Sequence, residues 1–104
     1  MNIWQTARFD RTFKKLHSSS QAVVLEAIRR LVTDPMLGEQ KSGDLGEFRV
    51  YKFREREQLW LLAYRWNEGD SIQLVDLGRH ENFYRSLRKL RGLTTKNEII
   101  TDGL

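Results

Sequence analysis

Residues 47 to 77 hold three apolar-rich runs separated by two short polar breaks, and this stretch constrains the fold more than any other. Glu47 to Arg54 alternates, with Phe48 and Val50 on one face and Arg49, Tyr51 and Phe53 on the other, the period of a strand. Glu55-Arg56-Glu57-Gln58 is a charged hairpin tip. Leu59 to Trp66 is the most apolar run, which predicts a central strand. Asn67-Glu68-Gly69-Asp70 supplies turn residues, and Ser71 to Leu77 reads as the last strand. Strands joined this tightly must pair as antiparallel neighbours.

The upstream chain alternates less clearly. Ile3 to Phe9 predicts a short first strand at a sheet edge, with Asp10 as the N-cap of a following helix. Phe9, Phe13 and Leu16 form one stripe of that helix, which should end near His17, with Lys14 and Lys15 off the stripe. Ser18-Ser19-Ser20 is read as a turn that caps the next helix. Gln21 to Val32 is strongly amphipathic, burying Val24, Ala27, Ile28 and Leu31 and exposing Glu26, Arg29 and Arg30. Asp34-Pro35 ends it, because the residue before proline is pushed out of the helical region. The short connection makes the two helices an antiparallel hairpin. Met36 to Gly46 is a polar link.

After the last strand a helix should start around His80 or Glu81 and run to Arg91. Phe83, Leu87 and Leu90 are its buried stripe, Arg85, Arg88, Lys89 and Arg91 lie off it, and Gly92 is its stop. The expected fold class is α+β in the order β-α-α-β-β-β-α. An antiparallel twisted sheet carries the helical hairpin on one face and leaves the other face open. Residues 1–92 read as one domain and 93–104 as a tail whose Ile99 and Ile100 leave two roles open, a loose end or a cover for an apolar patch.

Composition narrows the function classes. With 104 residues the chain is long enough for one core, and without cysteine it can form neither disulfides nor thiolate metal sites. Two distant histidines and no acidic cluster at ligand spacing predict no metal, and Gly43 and Gly46 are too badly spaced for a nucleotide-binding loop, so no cofactor is expected. Met1-Asn2-Ile3-Trp4-Gln5 lacks the pattern of a secretory leader, and no apolar run approaches membrane-span length, so no membrane role and a cytoplasmic location are expected. A net charge of +4 and a pI near 9.7 suggest an acidic partner, nucleic acid or protein.

The junction Gly78-Arg79-His80-Glu81-Asn82-Phe83-Tyr84 is where chemistry is expected. Strand-to-helix junctions present polar side chains at a surface. His80 and Tyr84 are four apart, so a helix beginning near His80 would put them on one face. Histidine is suited to proton transfer near neutral pH. Structural uses stay open beside this: His80 as a helix cap, Tyr84 packed at the sheet edge, and His17 as a cation at a helix end. Trp4, Trp60 and Trp66 are read as core or sheet-face packing.

The order of elements, together with several motifs, resembles the RelE/ParE superfamily of bacterial type II toxins. The motifs are the hairpin closing at Asp34-Pro35, Leu37-Gly38-Glu39, Lys41-Ser42-Gly43-Asp44-Leu45, the strands Phe48-Arg49-Val50-Tyr51-Lys52-Phe53 and Leu61-Leu62-Ala63-Tyr64-Arg65, and the Gly78 to Tyr84 junction. The resemblance implies a toxin neutralised by a cognate antitoxin, with operator DNA bound only through the antitoxin complex. RelE-like members cleave mRNA in the ribosome without a metal; ParE-like members share the fold and poison DNA gyrase. It further implies His80, Tyr84 and Arg65 as catalytic candidates and Arg49, Tyr51, Lys52, Arg79, Arg85 and Arg88 as contacts to RNA or another target. Two positions depart from the RelE-like pattern: the phosphate-stabilising arginine falls on Leu61, and a second strand cation on Tyr51. The thinner basic set is compatible with a histidine-dependent nuclease or with a toxin that does no chemistry.

Overall fold

Three long strands form the predicted meander. They are β3 (Arg49–Glu55), β4 (Gln58–Asn67) and β5 (Ser71–Arg79) of a computed structural model that describes residues 2–67, 71–79, 82–92 and 98–99. β3 pairs antiparallel with β4 from Arg49↔Tyr64 to Glu55↔Gln58, so the hairpin turns on Arg56 and Glu57, with Arg56 at φ 57°. β4 pairs antiparallel with β5, but the register slips by one residue between Ala63↔Asp76 and Tyr64↔Leu74. Val75 is the extra residue, a β-bulge. The slip lets Leu74 and Leu77, three apart, share one face while Val75 faces the other.

The first strand departs from expectation. β1 (Asn2–Gln5) is shorter than the predicted Ile3 to Phe9 and lies inside the sheet, parallel to β5. The sheet order is β2-β3-β4-β5-β1-β6, where β2 is Glu39–Gln40 and β6 is Glu98–Ile99. β6 pairs antiparallel with the outer side of β1, so this part of the tail closes a strand that sequence alone placed at an edge.

Helix α1 (Ala7–Lys14) starts earlier than predicted because Thr6, not Asp10, caps it. The Thr6 Oγ1 accepts the Phe9 N–H at 3.1 Å and donates to the Val75 carbonyl at 2.7 Å, tying the helix start to the bulge. Asp10 instead sits in the first turn and pairs with Lys14 at 2.8 Å. α2 (Ser18–Thr33) absorbs the three serines expected in a turn. His17 is therefore the N-cap of α2 rather than a cation at a helix C-terminus, and its side chain makes no capping hydrogen bond. Val24, Ala27, Ile28 and Leu31 are buried as their spacing predicts, and α2 stops at Asp34.

Apolar residues gather on both sides of the sheet. The hairpin side holds Phe9, Ile28, Leu31, Trp60, Leu62, Tyr64, Ile72 and Leu74, with Trp66 packed against them. The opposite face, expected to stay open, is covered instead. Leu45, Phe48, Val50, Leu61, Ala63 and Val75 pack there against Phe83 and Leu87 of α3 (Phe83–Arg88), and a 3-10 turn at Gly43–Leu45 closes the rim. β4 supplies large apolar side chains to both faces, and water-exposed Leu61 would cost about 2 kcal/mol by itself. Phe83 and Leu87 of the predicted stripe are buried, but α3 begins after Asn82 (φ 64°), later than His80, and ends at Arg88, so Leu90, the third member, lies beyond the helix and is only partly buried.

Candidate functional site

Tyr84, the second residue of α3, meets the loop that precedes β3. Its ring stands edge-on to Phe83, with centroids 5.5 Å apart and planes at 85°. The Lys41 ammonium lies 5.2 Å from the centre of the Tyr84 ring and 2.6 Å from the Glu39 carboxylate. The loop is drawn closed by the Lys41 N–H to the Phe48 carbonyl at 3.0 Å and by the Gln40 side-chain amide to the Gly46 carbonyl at 2.6 Å. Gly43, at φ 63°, makes the left-handed turn in it. Arg88 of α3 pairs with Asp44 at 2.9 Å, fastening the helix to the same loop.

These contacts set the electrostatics. Lys41, by hydrogen bond and charge, and then Lys52 hold the Glu39 carboxyl below its ordinary value. In return Glu39, and after it Tyr84, raise the Lys41 ammonium above the usual lysine value against a burial effect of opposite sign. The result is a half-buried aromatic flanked by an immobilised cation, with Lys52 exposed nearby and Arg85 exposed on α3.

The remaining candidates make their contacts within the protein or on the other side of the sheet. Arg65 is committed within the protein: it pairs with Glu47 at 2.6 Å, donates to Gln73 at 2.5 Å and to the Leu90 carbonyl at 3.1 Å, and lies 4.8 Å over the Phe48 ring. The Gly92 N–H donates to the same Glu47 oxygen at 3.0 Å. Arg49 donates to the Gly38 carbonyl at 2.9 Å and lies over Trp66 on the hairpin side. Tyr51 is also on the hairpin side, stacked on Phe53 at 5.9 Å. Arg79 lies over Trp60 and, with His17, Ser20 and Glu55, lines a groove of about 560 Å³ at the start of α2. His80 lies outside the described residues. The structure thus brings Tyr84, Arg65, Lys52, Arg85 and Arg88 to the α3 side of the sheet, with Arg65 locked in internal contacts there, and Arg49, Tyr51 and Arg79 to the other.

Sequence reasoning passed over Lys41 and Glu39 as functional side chains. Both fall within quoted motifs, and a charge pair two residues apart beside Gly43 was the available signal. That the loop folds back onto α3 is a long-range fact that no spacing encodes. Among the described residues no three His, Cys, Asp or Glu side chains are grouped to hold a metal ion, and no helix is long and apolar enough to cross a membrane.

Comparison with known proteins gives this arrangement a family. Residues 3–88 match the sequence model of the ParE-like toxin of type II bacterial toxin-antitoxin systems. Among solved structures, a chain of the intact E. coli RelBE toxin–antitoxin complex is similar, with a TM-score of 0.60 at 16% identity over 76% of this chain and 95% of that one. The isolated E. coli RelE toxin is similar too, with a TM-score of 0.58 at 14% identity over 85% of this chain and 96% of that one. At these identities the likeness is one of fold. No curated protein matches. The mixed α+β fold and the match over residues 3–88 together place the chain among the ParE-like toxins of type II toxin–antitoxin systems, within the RelE/ParE superfamily.

Proposed function

We propose that the toxin arrests translation by cutting mRNA in the ribosome without a metal ion. The observation that supports this reading is the Tyr84 face: an aromatic ring, a held ammonium at Lys41 and an exposed Lys52 whose charge acts on the same Glu39 carboxylate. Cleavage of RNA at a 2′-hydroxyl needs that hydroxyl deprotonated, charge on the phosphorane stabilised and the leaving 5′-oxygen protonated. In this reading His80, four residues before Tyr84, carries the proton. Tyr84 stacks on a base or orients the phosphate. Lys52, Arg85 and Arg88 attract the RNA backbone on the Tyr84 face, while Arg79, on the opposite side of the sheet, takes no part in this contact. Arg49 and Arg65 then serve mainly to hold the scaffold. A cognate antitoxin binds the toxin through an acidic and apolar segment, operator DNA is met through that complex, and the site of action is the cytoplasm.

A second reading, a DNA gyrase poison without chemistry of its own, draws support from the same contacts. Arg49 and Arg65 are tied up in internal hydrogen bonds, and Leu61 is fully buried, so the strands present few free cations. Brief induction without antitoxin, with translation and DNA synthesis pulse-labelled separately, decides between them. Early loss of translation with mRNA cut in coding regions, and its absence in His80→Ala and Tyr84→Ala, is the result expected. DNA synthesis failing first with translation intact overturns the nuclease reading in favour of gyrase.

A further inference from the structure

Lysines usually keep their ammonium in water, yet the Lys41 side chain is only 17% exposed. Three contacts hold it: the backbone bond to Phe48, the Glu39 carboxylate and the Tyr84 ring. Its ion-pair partner is the most exposed carboxylate among the ion pairs of the described residues: Glu39 is 71% exposed, against 55% for Glu26, 46% for Asp44 and 4% for Asp76. Glu39 can therefore swing into water at little desolvation cost, while the ammonium stays where the loop and ring place it. A fixed cation with a displaceable carboxylate is poised to exchange that carboxylate for another anion.

We propose that Lys41 is a phosphate contact of the RNA site, binding the phosphate of the nucleotide that Tyr84 engages, with Glu39 as the anion that the phosphate displaces. The inference rests on the RNA-directed reading of the Tyr84 face. Two observations favour a phosphate over a mere structural pin. Lys52 acts on the same carboxylate, so the positive potential extends beyond one pair. α3 is already pinned to this loop by Arg88 and Asp44, so the Lys41 contact is not needed for that purpose.

The test is fluorescence anisotropy of the full chain with a labelled, fully 2′-O-methylated single-stranded RNA, measured across a salt series. Removing one phosphate contact should flatten the dependence of log K on log salt by about 0.7 for a single strand. Lys41→Met should show that change and bind roughly fivefold more weakly at low salt, in line with the loss of one charge contact. Lys41→Arg should keep the wild-type slope, and Lys15→Met, at the far end of α1, should match wild type. Glu39→Gln leaves the loop's backbone bonds in place and frees the ammonium, so it should bind the RNA more tightly. A Lys41→Met slope equal to wild type, or weaker binding by Glu39→Gln, overturns the assignment while leaving the nuclease reading standing. A wild-type chain that shows no RNA binding at low salt overturns the Lys41 assignment, whereas the nuclease reading, which places cleavage in the ribosome, is decided by the pulse-labelling experiment.

Discussion

The Tyr64 hydroxyl accepts the Gly38 N–H at 2.9 Å and donates to the Pro35 carbonyl at 2.5 Å, anchoring the loop after α2 to the centre of the sheet. A Cβ on Gly38 would stand 2.6 Å from the Tyr64 ring, so only glycine fits this approach. Arg49 completes the lock through the Gly38 carbonyl. Tyr64→Phe leaves the buried Gly38 N–H without its partner and should cost roughly 1–3 kcal/mol. Gly38→Ala should cost a similar roughly 1–3 kcal/mol through overpacking. Denaturant unfolding of both variants checks this; wild-type midpoints would show that the loop is anchored by other means.

Phe83 is the wedge that seats α3 on the second face of the sheet. It is 4% exposed, and a Cβ built on Gly78 would come within 3.2 Å of its ring. Phe83→Ala should cost roughly 3–5 kcal/mol, the usual range for emptying a buried aromatic site. The same variant should loosen Tyr84 and reduce toxicity even under conditions where the domain stays folded. Hydrogen exchange at Leu87 and growth on induction read the two effects, and unchanged exchange would mean that α3 does not depend on this contact.

Acid should weaken the tie between α3 and the sheet. Burial pushes the Glu47 carboxyl up, but the Gly92 N–H and Arg65 outweigh it and leave it below its ordinary value. A carboxylate depressed in the folded state binds fewer protons there than when unfolded, so it stabilises above its unfolded value. That stabilisation is lost as the pH falls through the depressed folded one. With Glu47 about a third exposed, the contribution is roughly 0.5–1 kcal/mol after solvent screening. Glu47→Gln and Arg65→Met should each flatten the rise of stability between acid and neutral pH. Parallel wild-type and variant curves would remove Glu47 from the account.

Residues 98 and 99 occupy the outer side of β1 through Trp4↔Ile99 and Gln5↔Glu98. Ending the chain at Gly92 should uncover that edge, and exposed strand edges pair with other chains. The shortened chain is expected to self-associate in sedimentation velocity at concentrations where the full chain does not, and Ile99→Pro should do the same. Identical sedimentation of all three would show that β6 guards nothing.

Much of the architecture was legible because it is local. The alternation of Phe48, Val50 and Tyr51, the stripe Val24, Ala27, Ile28 and Leu31, and the stop at Asp34-Pro35 depend on backbone period and proline geometry, which neighbouring residues dictate. The Phe83 and Leu87 stripe, read the same way, is the one that α3 buries. Errors fell where distant residues competed. Thr6 won the cap from Asp10 because the Val75 carbonyl was there to receive its hydroxyl. β1 ended at Gln5 and moved inward because β5 and β6 pair with it on either side.

The site divides along the same line. Its residue types, a histidine and a tyrosine at a strand-to-helix junction among many cations, were determined by sequence. Which cations remain available was decided by tertiary structure alone. Arg65 and Arg49 found internal carbonyls and carboxylates, while a loop lysine that no periodicity marks was carried against Tyr84. The physical reason is that a guanidinium or ammonium has little intrinsic preference for a place. Its role follows from whichever anion or ring the fold brings within a few ångströms, and that is settled only when strands far apart in sequence have paired.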